Sequence, residues 1–428
     1  MQEYELSTLP TGERLITEAV PSVRSVALGF WIGAGSRDET ASRAGVSHFL
    51  EHLLFKGTSR HSAQEIAELF DGLGGELNAA TSRETTVVYA RVPENHVEDA
   101  LDVMVGMVYD PAFTDLDSER EVVLEEIAMV EDNPQDLVHD VVSEAVFGGH
   151  PLGRPVIGRA EVIASVGRRA LAAFHRVAYT ADNIVVAAAG NLTHARLEEL
   201  LAARLPQTTP AARRPRKPVG RRPRPGLRFQ SKATEQYHVC LGAPGISRRD
   251  ERRFAASLLD AILGGSASSR LFQEIREKRG MAYAVYSFAS QYSDAGQIGL
   301  YVGTREENLV ECLQIAADEI ADVASGNVRP GELERAKENL KGRMLLSLES
   351  TSNRMSRLGR SLLTGTELLT LDELIERIDA VGPEDVAALA RDLLALDGLS
   401  AAGIGPDEGR FRAAVERVNP LLVERAAA

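Results

Sequence analysis

The chain holds only two cysteines among its 428 residues, Cys240 and Cys312. Two are too few for a disulfide framework, and they lack metal-ligand spacing. Positive charge is also short, with 48 basic residues against 62 acidic ones and a net charge of −14. That balance excludes nucleic acid as the main partner, since phosphate binding needs a dominant basic surface. No run approaches the ~18 apolar residues of a membrane helix, so no membrane partner is expected. No basic-plus-apolar leader precedes the polar opening Met1-Gln2-Glu3-Tyr4-Glu5-Leu6. No export signal is therefore expected, and a cytoplasmic location is the default. Lysine is scarce, six of the 48 basic residues, and supports no functional inference. The remaining composition, 44% hydrophobic and 26% charged, is that of a soluble globular protein long enough for two to three domains.

The sharpest break in composition is Ala211 to Gly226, AARRPRKPVGRRPRPG. Rich in proline and arginine and without apolar periodicity, it reads as an exposed, extended linker. The segments on either side repeat one another. Val26-Ala27-Leu28-Gly29 matches Val239-Cys240-Leu241-Gly242, and Gln64-Glu65-Ile66 matches Gln273-Glu274-Ile275. Glu119-Arg120 matches Glu334-Arg335, and a strand ending at Gly190 matches one ending at Gly405. Each half reads as early strands, helices, a strand pair, long helices and a late strand. The strand pairs fall at Leu77–Val92 and Ala282–Val302. The expected fold is α+β, two homologous sheet-and-helix domains. The expected division is residues 1–210, a linker at 211–226, and a second domain at 227–428.

Between Gly45 and Gly57, Val46, Phe49, Leu50, Leu53 and Leu54 recur at helical spacing as one apolar stripe. His48, Glu51 and His52 fall on the opposite side. Histidines at i and i+4 point the same way one turn apart, the spacing that lets two imidazoles grip one zinc ion. Glu51 lies beside them and suits a general base acting on a water at the metal. The alternative is a polar face with two solvated histidines.

A second helix bears on the choice. Ser118-Glu119-Arg120-Glu121 has capping-box spacing, and Pro134 follows the helix it would start. Val122, Val123, Ile127 and Val130 make the apolar stripe. Glu119 and Glu126, seven apart, lie inside it, whereas Glu121 and Glu125 lie off it. Carboxylates facing a core are costly unless something positive meets them. One of the two can be a third zinc ligand and the other a partner that orients a ligand histidine.

The segments His48-Phe49-Leu50-Glu51-His52, Glu119-Arg120-Glu121-Val122-Val123-Leu124-Glu125-Glu126-Ile127 and Gly149-His150-Pro151-Leu152-Gly153-Arg154 resemble the pitrilysin/insulinase family of inverted zinc peptidases. So do Gly74-Gly75-Glu76-Leu77-Asn78-Ala79 and Arg276-Glu277-Lys278-Arg279-Gly280-Met281-Ala282-Tyr283. The resemblance is to the short, two-domain branch that includes the mitochondrial processing peptidase β-subunit and its bacterial relatives, with a LuxS/processing-peptidase-like fold. It implies one Zn2+ per chain held by His48, His52 and Glu126, with Glu51 the base and Glu119 in support. It makes Asn78, Ala79 and Ala80 part of an edge strand that binds substrate as an added β-strand. It gives Tyr283 a role at the scissile carbonyl and Arg276 one on the substrate backbone. Without the resemblance, Arg276 reads as a helix-end charge and Tyr283 as a strand core residue.

Sliding the first repeat onto the second places Ser257, Asp260 and Ala261 opposite His48, Glu51 and His52, and Lys341 opposite Glu126. The second copy is therefore expected to enclose substrate without binding zinc. Family chambers use four such domains, so this chain is expected to pair, as a homodimer or with an inactive relative. The function implied is a zinc-dependent endopeptidase cutting extended or unfolded peptides inside a closed chamber. The alternative is a catalytically idle peptide-binding or scaffold subunit. Nucleic-acid binding through the arginine-rich linker is a third, minor reading.

Overall fold

The computed structural model describes residues 4–209, 214–220 and 223–427. Met1 to Glu3, and residues 211–213 and 221–222 of the expected linker, lie outside the described residues.

Two sheets carry the architecture. The first contains β1 (Glu5–Thr8), β2 (Arg14–Ala19), β3 (Ser25–Ile32), β4 (Glu76–Thr81), β5 (Thr86–Pro93) and β6 (Ile184–Gly190), in the order β1-β2-β6-β3-β5-β4. The second contains β7 (Leu227–Ser231), β8 (Tyr237–Gly245), β9 (Ala282–Gln291), β10 (Gly296–Thr304) and β11 (Ser400–Gly405), in the order β7-β11-β8-β10-β9. With β1 set aside, the two orders are the same. In each sheet one pair is parallel, β2 with β6 and β7 with β11, and the remaining neighbours are antiparallel. The fold is α+β and duplicated, and the hairpins β4–β5 and β9–β10 fall on the expected strand pairs.

By packing, the chain sorts into two compact units, each drawn from both sides of the linker. The first comprises Met1–Ala128, Pro155–Arg216 and Leu345–Thr370; the second comprises Met129–Arg154, Lys217–Met344 and Leu371–Ala428. The reason is that both faces of each sheet are apolar. In the first unit, Val26, Leu28, Phe30 and Ile32 of β3 meet Phe49, Leu50 and Leu53 on one face. On the other face Ala27 and Trp31, with Val185, Ala187 and Ala189 of β6, are covered by Met355 and Leu358 from the helix Thr351–Thr364. In the second unit, Val138, Val142 and Val146 of the helix Pro134–Phe147 cover Cys240, Tyr301, Ala402 and Ile404. Burial on both faces is why β3 and β6 read as continuous apolar runs instead of alternating ones.

The described linker residues form neither helix nor strand, yet they are not free. Arg216 holds Asp38 at 2.8 Å and the carbonyl of Glu84 at 2.7 Å in the first unit. In the second, the His150 ring meets the Lys217 carbonyl at 2.9 Å.

The helix over Trp31 is packed without slack. A Cβ on Gly359 would fall 2.2 Å from Trp31 Nε1 and 2.3 Å from Cδ1, while Nε1 already donates to Met355 Sδ at 3.3 Å. Gly359→Ala is expected to cost about 1–3 kcal/mol as an overpacked core. Gly342→Ala, in a helix with nothing within 4 Å of the added Cβ, is expected to be neutral or stabilising. Calorimetric melting of both variants checks this, and equal Tm values would refute the packing argument.

Candidate metal centre

The histidine helix spans Val46–Leu54. Gly45 precedes it at φ +97, and a Cβ there would meet the Ile157 carbonyl at 2.7 Å, so glycine is needed for conformation and space alike. The buried Glu39 carboxylate accepts from the N–H groups of Gly45 (2.8 Å) and Ser47 (2.6 Å), satisfying donors that a helix start leaves over. Val46, Phe49, Leu50, Leu53 and Leu54 are fully buried, and His48, Glu51 and His52 are half-buried on the opposite side. The expected stripe and its polar back are both present.

The glutamate helix spans Leu116–Asp132, ending where Pro134 opens the next one. Its start differs from the capping box expected at Ser118. Phe113 and Asp115 take positive φ values of 51° and 56°, and the helix opens at Leu116, ahead of the Glu119 that a cap at Ser118 would make its first residue. The Ser118 hydroxyl donates to the Asp115 carbonyl at 2.9 Å instead of capping an N–H. Within the helix Glu119, Val123 and Ile127 are buried. Val122, expected in the stripe, is 45% exposed, because positions 119, 123 and 127 already define the inward line. Glu126 shares that line but is not core-buried: its side chain is 37% accessible and meets the histidines.

His48 Nε2 lies 3.6 Å and His52 Nε2 3.3 Å from Glu126 Oε2. The two imidazoles are 4.7 Å apart at their centroids. His48, His52 and Glu126 form the only group of at least three possible metal-binding side chains among the described residues, their ligand atoms all within 4.8 Å of one another. On its other ring nitrogen, His52 Nδ1 is 2.9 Å from Glu119 Oε1, and Lys56 Nζ is 2.6 Å from Glu119 Oε2. Lys56 went unnoticed in the sequence. Its signal was there: it lies four residues past His52, one turn on, at the level of the same buried acid.

Burial pushes the His48 imidazole down to about 4, with the neighbouring His52 adding to the effect, so His48 is a neutral donor at ordinary pH. Glu51 moves the other way. Burial raises its carboxyl, against the lowering effect of a hydrogen bond from Thr81, the last residue of β4. Burial also raises the Tyr179 phenol, and the negative Glu51 beside it adds to the rise. Glu51 Oε2 and His48 Nδ1 are buried with no hydrogen-bond partner among the described residues.

Asn78, Ala79 and Ala80 lie on β4, the last strand of its sheet, which pairs only with β5. Asn78 and Ala80 are exposed, and Asn78 Oδ1 accepts the N–H of Ala79 at 2.8 Å. In the second unit, Arg276 lies in the π-helical turn Phe272–Glu277, with its guanidinium 4.7 Å from the Phe272 ring and 4.4 Å from the Tyr283 ring. Tyr283 is 78% exposed, so the strand-core alternative is excluded. The residues opposite the metal set are otherwise engaged. Ser257 Oγ donates to the Arg253 carbonyl, Asp260 accepts from Ser287, and Lys341 pairs with Glu338 and Asp379.

Residues 14–160 match the family model described as insulinase (peptidase family M16), and residues 165–340 match that of the peptidase M16 inactive domain. The chain belongs to peptidase family M16. As a member it is a metallopeptidase, a hydrolase of peptide bonds. It is 43% identical over 399 residues to an uncharacterized zinc protease of Streptomyces coelicolor, covering 91% of this chain and 86% of that protein. It is 41% identical over 392 residues to an uncharacterized zinc protease of Bacillus subtilis, covering 91% and 95%. A crystal structure described as the peptidase M16 inactive domain from Pseudomonas fluorescens superposes with a TM-score of 0.88 at 25% identity, covering 94% of this chain and 98% of that one. A protease from Helicobacter pylori gives the same TM-score at 20% identity, covering 94% and 99%, and supports the fold alone. The first M16 model spans both helices of the metal centre, and the second spans Arg276 and Tyr283. No helix among the described residues is long and apolar enough to cross a membrane.

Proposed function

We propose that this M16 chain is a zinc endopeptidase that cuts extended or unfolded peptides, with one zinc per chain held by His48, His52 and Glu126. The convergence of three ligand atoms within 4.8 Å carries the reading. Tetrahedral zinc sets its ligand atoms about 3.3 Å apart, close to the 3.3 and 3.6 Å separations from Glu126 Oε2. Two imidazoles and a carboxylate are a hydrolase donor set that leaves a position open. When bound, zinc polarises the scissile carbonyl and acidifies water.

The chain's own residues do the rest. Glu51 accepts the proton of the attacking water and returns it to the leaving amine. Substrate lies along β4 as an added strand at Asn78, Ala79 and Ala80, where main-chain pairing tolerates many sequences but requires extended peptide. Arg276 holds substrate backbone, and the Tyr283 hydroxyl donates to the developing oxyanion. Two M16 chains pair to enclose the peptide, so that Arg276 and Tyr283 of one serve the metal centre of the other.

The test is cleavage of an unstructured peptide by the purified chain, followed with metal analysis. One zinc per chain is expected, with cleavage lost in phenanthroline and restored by added zinc. Cleavage that survives full chelation would end the proposal. A chain that binds no zinc and cuts nothing would favour an idle peptide-binding or scaffold subunit.

A further inference from the structure

We infer that Lys56 is a positioning residue of the metal centre, acting through Glu119 on His52; the inference rests on the reading of His52 as a zinc ligand. Glu119 is 4% exposed, and a buried carboxylate is costly unless both of its oxygens find partners. Here the oxygens divide the work. Oε1 faces His52 Nδ1 at 2.9 Å, and Oε2 faces the Lys56 ammonium at 2.6 Å. A glutamate's terminal torsion is broad and soft, so an unanchored carboxylate would swing about its last bond. The Lys56 contact removes that freedom and keeps Oε1 in line with Nδ1. With Nδ1–H engaged there, Nε2 is the nitrogen that turns its lone pair toward Glu126, 3.3 Å away.

Lys56 is itself held from both helices. Its N–H donates to the Leu53 carbonyl at 3.2 Å, continuing the last turn of the histidine helix. Its carbonyl accepts the hydroxyl of Thr114, two residues before the glutamate helix begins. The lysine therefore braces one helix against the other at the level of the second histidine. The repeat offers an internal comparison. The offset that sets Ala261 opposite His52 sets Gly265 opposite Lys56, and Glu334, opposite Glu119, has a side chain 72% exposed. Where the histidine and the counterpart of Lys56 are both absent, the glutamate stays mostly exposed, with Lys337 3.6 Å away on its own helix.

The experiment measures zinc affinity of the full-length chain by competition with a chromophoric chelator, with cleavage read separately at saturating zinc. Lys56→Met is expected to weaken zinc by about 10-fold, the lower end of the effect of losing an outer partner of a metal ligand, since Lys56 acts one contact further out. Most of kcat should return when zinc is saturating. Lys56→Arg, which keeps a cation within reach, should retain near-wild-type affinity and guards against a fold defect in the methionine variant. In the Glu119→Gln background, Lys56→Met should have no further effect, because the group it acts through is gone. Wild-type zinc affinity in Lys56→Met, or an undiminished loss in the Glu119→Gln background, would overturn the inference. A wild-type chain that binds no zinc would remove the metal reading and this inference together.

Discussion

Glu51→Gln is expected to lower kcat by about 10³-fold, within the range for loss of a general base, while the chain keeps its zinc. The substitution preserves shape and removes only the ability to take a proton. Glu51 lies on the polar side of the helix beside His48 and His52, but it is not in the group whose ligand atoms converge. Its Oε2 is buried without a hydrogen-bond partner among the described residues, an arrangement that is costly unless a ligand or water completes it during turnover. Its raised carboxyl, due first to burial, marks a group that binds a proton more readily than an ordinary glutamate, as a base at this step requires. The contrast is His52→Ala, which deletes a proposed ligand and should lose metal and activity together. Steady-state kinetics beside metal analysis separate the two. KM should change little, since in the proposed mode the substrate's main chain pairs along β4 and not with this carboxylate. Glu51→Gln activity within tenfold of wild type would show that another group takes the proton.

Much of this centre could be read from the residues before any coordinates, for definable reasons. The stripe from Val46 to Leu54 fixed which side of its helix is buried, and so placed His48, Glu51 and His52 together on the other. Seven-residue spacing put Glu119 and Glu126 on one line, since seven residues return a helix to within about 20°. Spacing alone could not say which of them faces the two histidines' Nε2 atoms. That depends on where the line leaves the core, and it does so between a buried Glu119 and a half-exposed Glu126. Val122 was misplaced because valine's apolarity outweighed its angle on the wheel. The helix start was misplaced because positive φ at Phe113 and Asp115, both non-glycine, leaves no signature in composition. The duplication was legible in short matched segments, yet the exchange of helices was not. A helical stripe shows that Met355 and Leu358, or Val138 and Val142, will be buried; it cannot show against which sheet. The spacing of Lys56, one turn past His52, was a usable signal, but the residue lies beyond the last helical position, Leu54, where the wheel no longer assigns a face.

Mixing two inactive variants is expected to restore cleavage. In the proposed M16 dimer each site takes zinc ligands and Glu51 from one chain and Arg276 and Tyr283 from its partner. Glu51→Gln removes the base, and Tyr283→Phe removes a hydroxyl donor to the oxyanion, a loss of about 10²–10³ in rate where one such donor is deleted. Tyr283 is mostly solvent-exposed, so the phenylalanine variant should fold normally. In a mixed dimer one site combines both defects, while the other combines an intact Glu51 with an intact Tyr283. Random pairing of equal amounts makes half the dimers mixed, each with one good site, so activity should approach about a quarter of wild type. If instead each chain supplied its own tyrosine, every site would carry one defect and no mixture could exceed its parents. Incubation long enough for subunit exchange, with the mass in solution followed in parallel, separates these cases. Recovery that appears only as mixed dimers form would assign Tyr283 to the partner's zinc, whereas exchange without recovery would return it to its own chain.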